Sequence, residues 1–218
     1  MAETDVHRDN MISLIHVLKE RYRDEPQVYI SGNIFLYYRD DAGQRKSVSP
    51  DVLVVFGIEK KRRRIYKLED EGKAPDVVIE LTSPNTKAED LGIKRYVYAS
   101  MGVREYFLFD PFAEALRPAL RGFCLDGGEY LPMMGSHLHS EVLGLDLRVE
   151  GEQLRLCDLK TGERLLTPEE VETARRAAEA KAAVAEAKAT AAETKATAAE
   201  TENARLRNEL AKLRAPKA

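Results

Sequence analysis

A mixed α/β domain followed by a separate helical tail is predicted by three observations. Two apolar, β-branched segments, "VSPDVLVVF" and "PDVVIELT", read as buried strands. A strand, helix, strand succession runs through "PDVVIELT", "SPNTKAEDLGIKRYVYASMG" and "VREYFLFDP", which implies a right-handed crossover and a parallel pair inside a mixed sheet. After about Thr167 the aromatic residues stop, since all nine Tyr, all six Phe and both Cys precede it. The 218 residues therefore divide into a globular part, 1–166, long enough for one sizeable core, and a tail, 167–218.

The remaining elements follow in chain order. Met11, Leu14, Ile15 and Leu18 recur at helical spacing, with Asp5 or Asn10 as cap, and predict a first helix ending near Arg23, before Pro26. "VYISGNIFLYY" is a strand broken at Ser31-Gly32-Asn33, and "DDAGQRKS" reads as loop. Pro50 sits at the start of its strand, where a missing donor is tolerated. "GIEKKRRRIYKLEDEGK" is a polar surface excursion carrying the one dense basic run, Lys60, Lys61, Arg62, Arg63 and Arg64. The central helix ends at Gly102. The third strand stops at Asp110-Pro111, where a turn role suits Asp110, and short antiparallel hairpins fill Leu116 to about Leu159.

Charge and composition exclude several classes. Net charge is −3; the tail has ten Lys/Arg against nine Asp/Glu, so it carries +1 and the body −4. A constitutive coat for nucleic acid does not fit, although the Lys60 to Arg64 run is a candidate phosphate contact. Cys124 and Cys157 lack zinc-site spacing and read as buried free thiols. The four histidines, among them His7, His137 and His139, show no metal spacing with another ligand and receive no role. "MAETDVHRDN" has no basic and apolar signal pattern, and no apolar run approaches about eighteen residues, so a soluble, cytoplasmic protein without membrane contact is expected.

Glu80 raises the functional question, because carboxylates are rarely buried without a partner or a metal. Strand alternation puts Asp76, Val78 and Glu80 on one face and the apolar Val77, Ile79 and Leu81 on the other. Asp76 and Glu80 lie about 13 Å apart along a strand, too far to share one cation. Asp51, also at a strand boundary after a Pro, is the better partner if the two strands are neighbours. On the following helix, at about 100° per residue, Lys94 falls within the apolar arc with Ile93, Val97 and Met101, and Asp90 accompanies it at i, i+4. A lysine there is either a snorkelling stem or a group delivered to a site.

The linked motifs "SPDVLVVFG", "PDVVIELTSPNT" and "EDLGIKRYVYASMGVREYFLFDP" resemble the PD-(D/E)XK nuclease superfamily, and specifically the Uma-two family of restriction-type endonucleases, over residues 1 to about 170. The resemblance implies a restriction-endonuclease-like α/β (α+β) core acting as a metal-dependent endonuclease on DNA. It implies Asp51 and Glu80 as ligands of Mg2+ (or Mn2+), with a catalytic lysine that orients or activates water. Hard cations prefer carboxylate oxygens, and a metal both stabilises phosphoryl charge and acidifies water. The superfamily's lysine lies two residues after the Glu, where this chain has Thr82; the resemblance points to Lys94 as its replacement, with Asp90 in support. A carboxylate from the first helix, Glu20 or Glu25, is implied as a further member. The alternative is a catalytically inactive nuclease-fold protein that recruits partners through its tail, and Thr82 is the residue that favours it.

The tail has a seven-residue repeat, with Glu at 179, 186, 193 and 200 and Lys at 181, 188 and 195. Placing Ala182, Ala189, Ala196, Asn203 and Leu210 at a, and Ala185, Ala192, Ala199, Leu206 and Leu213 at d, sets these Lys at g and these Glu at e. A parallel pair then joins Lys181-Glu186, Lys188-Glu193 and Lys195-Glu200 across the seam, so a homodimer through a coiled coil of residues 175–214 is expected. Alanine seams bury little area, which makes such an association weak on its own.

Overall fold

The structure is a computed structural model that describes residues 4–135 and 137–214, with side chains described through residue 210. It forms two compact units, residues 1–168 and 169–218. In the first, α1 (Asp5–Arg21) precedes β1 (Val28–Ser31), β2 (Leu36–Arg39), β3 (Arg45–Val48), β4 (Val52–Phe56) and β5 (Tyr66–Lys67). Then follow α2 (Leu68–Glu71), β6 (Val77–Leu81), a helix in three parts and β7 (Glu105–Phe109). The three parts are α3 (Lys87–Glu89), a π turn (Asp90–Lys94) and α4 (Arg95–Met101). Finally come β8 (Leu120–Asp126), β9 (Glu129–Pro132), β10 (Leu138–Ser140), β11 (Leu145–Glu150) and β12 (Gln153–Asp158).

The central sheet has the order β1-β4-β6-β7-β8-β9. Its β6 and β7 are parallel, as the crossover requires, and its other pairs are antiparallel. Alternation along β6 sorts the side chains between two cores. Val77, Ile79 and Leu81 pack with Leu14 and Leu18 of α1 and with Leu145, Leu147 and Leu156 from the β10-β11-β12 sheet. Val78 packs on the other face with Leu53, Tyr98, Tyr106 and Leu108. Glu80 follows Val78 onto that second face and is 1 % exposed.

Four expectations need correction. The cap of α1 is Thr4, whose hydroxyl accepts from the His7 amide, rather than Asp5 or Asn10. Asn10 lies inside the helix because its amide has tertiary partners. The "DDAGQRKS" loop is shorter than expected: Asp40 closes the turn by accepting from the Ala42 and Gln44 amides, and Arg45–Val48 then pairs with β2. Cys157 is buried, but Cys124 is exposed, on the far half of β8 where the strand leaves the core. Ile93, placed in the apolar arc by uniform helical spacing, is 68 % exposed. The π turn widens the helix there and breaks the uniform phase on which that placement depends. Gly102 ends α4 with φ +83, as a left-handed C-cap requires.

The second unit carries α5 (Pro168–Arg214), a helix of 47 residues. Its described apolar residues Val184, Leu206 and Leu210 are about half exposed, at 55 %, 48 % and 51 %. Ion pairs within the helix sit near its ends, from Arg175 and Arg176 to Glu172 and Glu179, and from Arg205 to Glu202 and Glu209. Leu213, assigned above to a d position, lies outside the residues with described side chains. Among the described residues no helix is long and apolar enough to cross a membrane.

Asn10 pins α1 to the last hairpin. Its Nδ2 donates to the Val6 and Glu152 carbonyls at 2.9 and 2.8 Å, and its Oδ1 accepts from the Leu154 amide at 3.0 Å. Asn10→Ala strands a buried amide and carbonyl, so a loss of about 2–3 kcal/mol is expected. Urea unfolding should show a lower midpoint at an unchanged slope.

Candidate active site

The register of β4 against β6 builds the site. Val52 pairs with Ile79 and Val54 with Val77, so the next position outward sets Asp51 opposite Glu80, within the roughly 5 Å of directly facing side chains. Asp51 Oδ2 accepts from the Leu81 amide at 2.7 Å, and the Asp51 amide reaches Glu80 Oε2 at 3.4 Å. Behind Asp51, the Asn33 amide donates to the Pro50 carbonyl at 2.9 Å. A Cβ on Gly32 would stand 1.9 Å from the Asp51 carbonyl oxygen. The Ser31-Gly32-Asn33 break is therefore a backing for Asp51 as well as a turn.

The helix closes the site from the other side. Lys94 Nζ lies 3.1 Å from Glu80 Oε2 and 3.0 Å from Asp90 Oδ1, and its side chain is 14 % exposed. The contact with Asp90 is an ion pair without hydrogen-bond geometry, since neither Asp90 carboxylate oxygen has a hydrogen-bond partner among the described residues. The π turn spans Asp90 to Lys94 and presents both toward the sheet. One turn on, the Tyr98 hydroxyl donates to Glu80 Oε1 at 2.6 Å. At the opening, His7 Nε2 from the first turn of α1 lies 3.4 Å from Asp51 Oδ1.

Three carboxyl groups, Asp51, Glu80 and Asp90, thus face one ammonium, so the acidic side chains outnumber the cationic one. Burial, with Asp51 and Asp90 adding to it, outweighs Lys94 and pushes Glu80 up to about 8. Burial pulls Lys94 down, but Glu80 and Asp90 together overcome it and hold the ammonium above its usual range. The two partners differ because Lys94 faces two carboxylates, whereas Glu80 shares its one cation. Burial also raises the Tyr98 hydroxyl well above its ordinary value, so it remains a proton donor.

The structure therefore brings Asp51, Glu80, Lys94 and Asp90 together. It does not bring Glu20 there: Glu20 pairs with Arg23 and is partly exposed, about 20 Å along α1 from His7 at the usual helical rise. Glu25, beyond the end of α1, is exposed. The residue of α1 that meets the site is His7. Its nearness to Asp51 is a tertiary fact with no local signal in the sequence around His7. Tyr98 does have a local signal, the four-residue spacing of Asp90, Lys94 and Tyr98. Thr82 lies on the Glu80 face one step on; its amide bonds the Phe109 carbonyl, while its buried hydroxyl has no hydrogen-bond partner among the described residues.

The basic run is divided among several roles. Arg63 is corrected as a phosphate contact: its side chain is 4 % exposed, it holds Glu71 through two hydrogen bonds of 2.7 and 2.8 Å, and it stacks on Tyr29. Lys60 donates to the Tyr22 and Arg23 carbonyls beyond α1, and Lys61 pairs with Glu59. Arg62 and Arg64 complete the run at the surface. Asp110, buried, accepts from the Phe112, Ala115 and Leu116 amides and fills the expected turn role.

Residues 2–156 match the family model Uma2, described as "Putative restriction endonuclease". A solved structure of Anabaena variabilis ATCC 29413, described as a "putative nuclease belonging to DUF820" and determined at 1.96 Å, is similar at 14 % identity. The likeness covers 66 % of this chain and 76 % of that one, with a TM-score of 0.49. No curated protein matches the chain.

The raised Glu80 makes a signed prediction. Between the ordinary carboxyl value of 4.5 and about 8, the native state holds a proton that the unfolded chain has lost. Its stabilising contribution is complete below that window and disappears as pH rises through it. Relative to Glu80→Gln, the wild type should lose stability from pH 4.5 to 8, as read from paired urea unfolding curves.

Proposed function

The chain belongs to the Uma2 family of restriction-endonuclease type, and from that premise we propose a metal-dependent endonuclease that hydrolyses phosphodiester bonds in DNA. The observation that carries the reading is the buried excess of carboxylate over ammonium at the β4/β6 edge. A buried anionic site of this kind is costly unless a cation joins it. Its oxygen-only carboxylate donors suit Mg2+ or Mn2+ rather than a thiophilic metal. Asp90 Oδ2 and the Thr82 hydroxyl, neither with a hydrogen-bond partner among the described residues, are further oxygen donors at the same place.

Asp51 and Glu80 would hold the cation, which when bound stabilises phosphoryl charge and acidifies a water. The chain's own residues supply the rest. The Leu81 amide and Tyr98 hydroxyl fix one oxygen of each ligand carboxylate, leaving lone pairs on both. Lys94, held protonated by its two carboxylates, is a donor and not a general base. It suits orienting a water or meeting charge on a phosphoryl oxygen. Arg62 and Arg64 are the members of the basic run that suit phosphate contact.

The tail supports a parallel homodimer. Lys181, Lys188 and Lys195, the g positions, make no ion pair among the described residues, which leaves them for a second helix. Reversing the three to Glu should lower the dimer fraction in sedimentation equilibrium, most strongly at low salt.

The primary test is cleavage of supercoiled and single-stranded DNA, with RNA alongside, in Mg2+ or Mn2+. Wild type should cut only with metal. Glu80→Ala and Asp51→Asn should abolish cutting, and Lys94→Ala should lower it by about 10²-fold or more. Failure of folded wild type to bind Mg2+ or Mn2+ in a calorimetric titration would remove this reading and leave a partner-recruiting scaffold, whose working part is the tail.

A further inference from the structure

A second cluster lies on the β10-β11 hairpin. His137 and His139 flank Leu138, which is buried in the core, so alternation turns both imidazoles to the outer face of the strand. Their rings meet edge to face, with centroids 5.3 Å apart. The register sets His139 opposite Asp146, and His139 Nδ1 contacts Asp146 Oδ1. One ligand atom from each of His137, His139 and Asp146 can be chosen so that all lie within 4.8 Å of one another. Asp146 is itself 5 % exposed, and Arg148 Nη2 holds its other oxygen, Oδ2, at 2.9 Å.

We propose that His137, His139 and Asp146 form a binding site for a borderline divalent metal, of which Zn2+ is the type, distinct from the carboxylate site at Glu80. Two imidazoles and one carboxylate oxygen are a common three-ligand set for such ions, with a fourth position left for water or another donor. The site discriminates by donor softness. Arg148 cancels the charge of Asp146, so simple attraction for a hard cation is absent and the imidazole nitrogens must supply the affinity. Arg148 also orients the carboxylate from outside, as partners of metal-bound carboxylates commonly do. Because the ligands come from two paired strands, a bound ion ties β10 to β11 and stabilises the sheet that packs on α1.

The full chain without any affinity tag would be titrated with Zn2+ by calorimetry, and with Co2+ followed by its visible absorption. Binding of one Zn2+ with a rise in Tm is expected for wild type and for Glu80→Gln alike. His139→Ala should weaken that binding at least 10-fold and cancel the Tm rise, and His137→Ala should weaken it as well. His139 is 60 % exposed, so its variant should keep the native circular dichroism. Absence of Zn2+ binding in wild type, or binding unchanged in both histidine variants, would overturn the proposal. So would binding lost in Glu80→Gln and kept in His139→Ala, which would assign the ion to the carboxylate site.

Discussion

The antiparallel pairing of β4 with β6 is the constraint from which the rest of the first unit follows. A one-residue slip would send Leu53 and Val55 to the α1 face and take Asp51 away from Glu80. Correct register is enforced from both sides, since each strand is buried on both faces by different cores. The outward step from Val52 and Ile79 then delivers two carboxylates to one edge without any local sequence proximity. Gly32 completes the arrangement because only a residue without Cβ lets the neighbouring turn approach the Asp51 backbone so closely. The apolar pattern of the strands and the chemistry of the site are one constraint seen at two scales.

Much of this is legible in order along the chain. The β-branched runs of β4 and β6, the crossover helix ending at Gly102 and the tail with its heptads all have periodic or punctuating signals of their own. Asp51 and Glu80 stand out because a carboxylate at the end of an apolar strand contradicts its surroundings. What escapes is tertiary or aperiodic. His7 lies far in sequence from Asp51, and nothing in "ETDVHRDN" announces the contact. Arg63 looks like its neighbours in a basic run, yet Glu71, Tyr29 and Tyr66 select it alone for burial. Ile93 falls outside the arc predicted for it because a uniform helical angle cannot register a π turn.

The tail follows a different physical rule. In the first unit apolar burial fixes position, and the charges buried with it, such as Arg63 and Asp110, are each held by partners of their own. In α5 the repeat positions 182, 185, 189, 192, 196 and 199 are all alanine, so the helix offers little apolar area and its charge pattern is its most regular feature. Threonines at 190, 194, 197 and 201 each return their hydroxyl to the carbonyl four residues earlier. They therefore satisfy themselves within the helix and leave the Lys and Glu flanks to carry any specificity.

The helix-borne lysine fits the geometry of the site better than a simple transfer of position suggests. Thr82 already occupies the strand position beside Glu80 and is 1 % exposed, so a long cationic chain there would need room that the fold has filled. A lysine on the π turn enters from the other side of Glu80 and brings Asp90 with it at i, i+4. Asp90 keeps Lys94 charged, and the same carboxylate adds to the repulsion that raises Glu80. Moving the ammonium from strand to helix thus changes the charge balance as well as the direction of approach. The added carboxylate increases the surplus of acidic groups around Glu80, while the lysine stays protonated between its two partners.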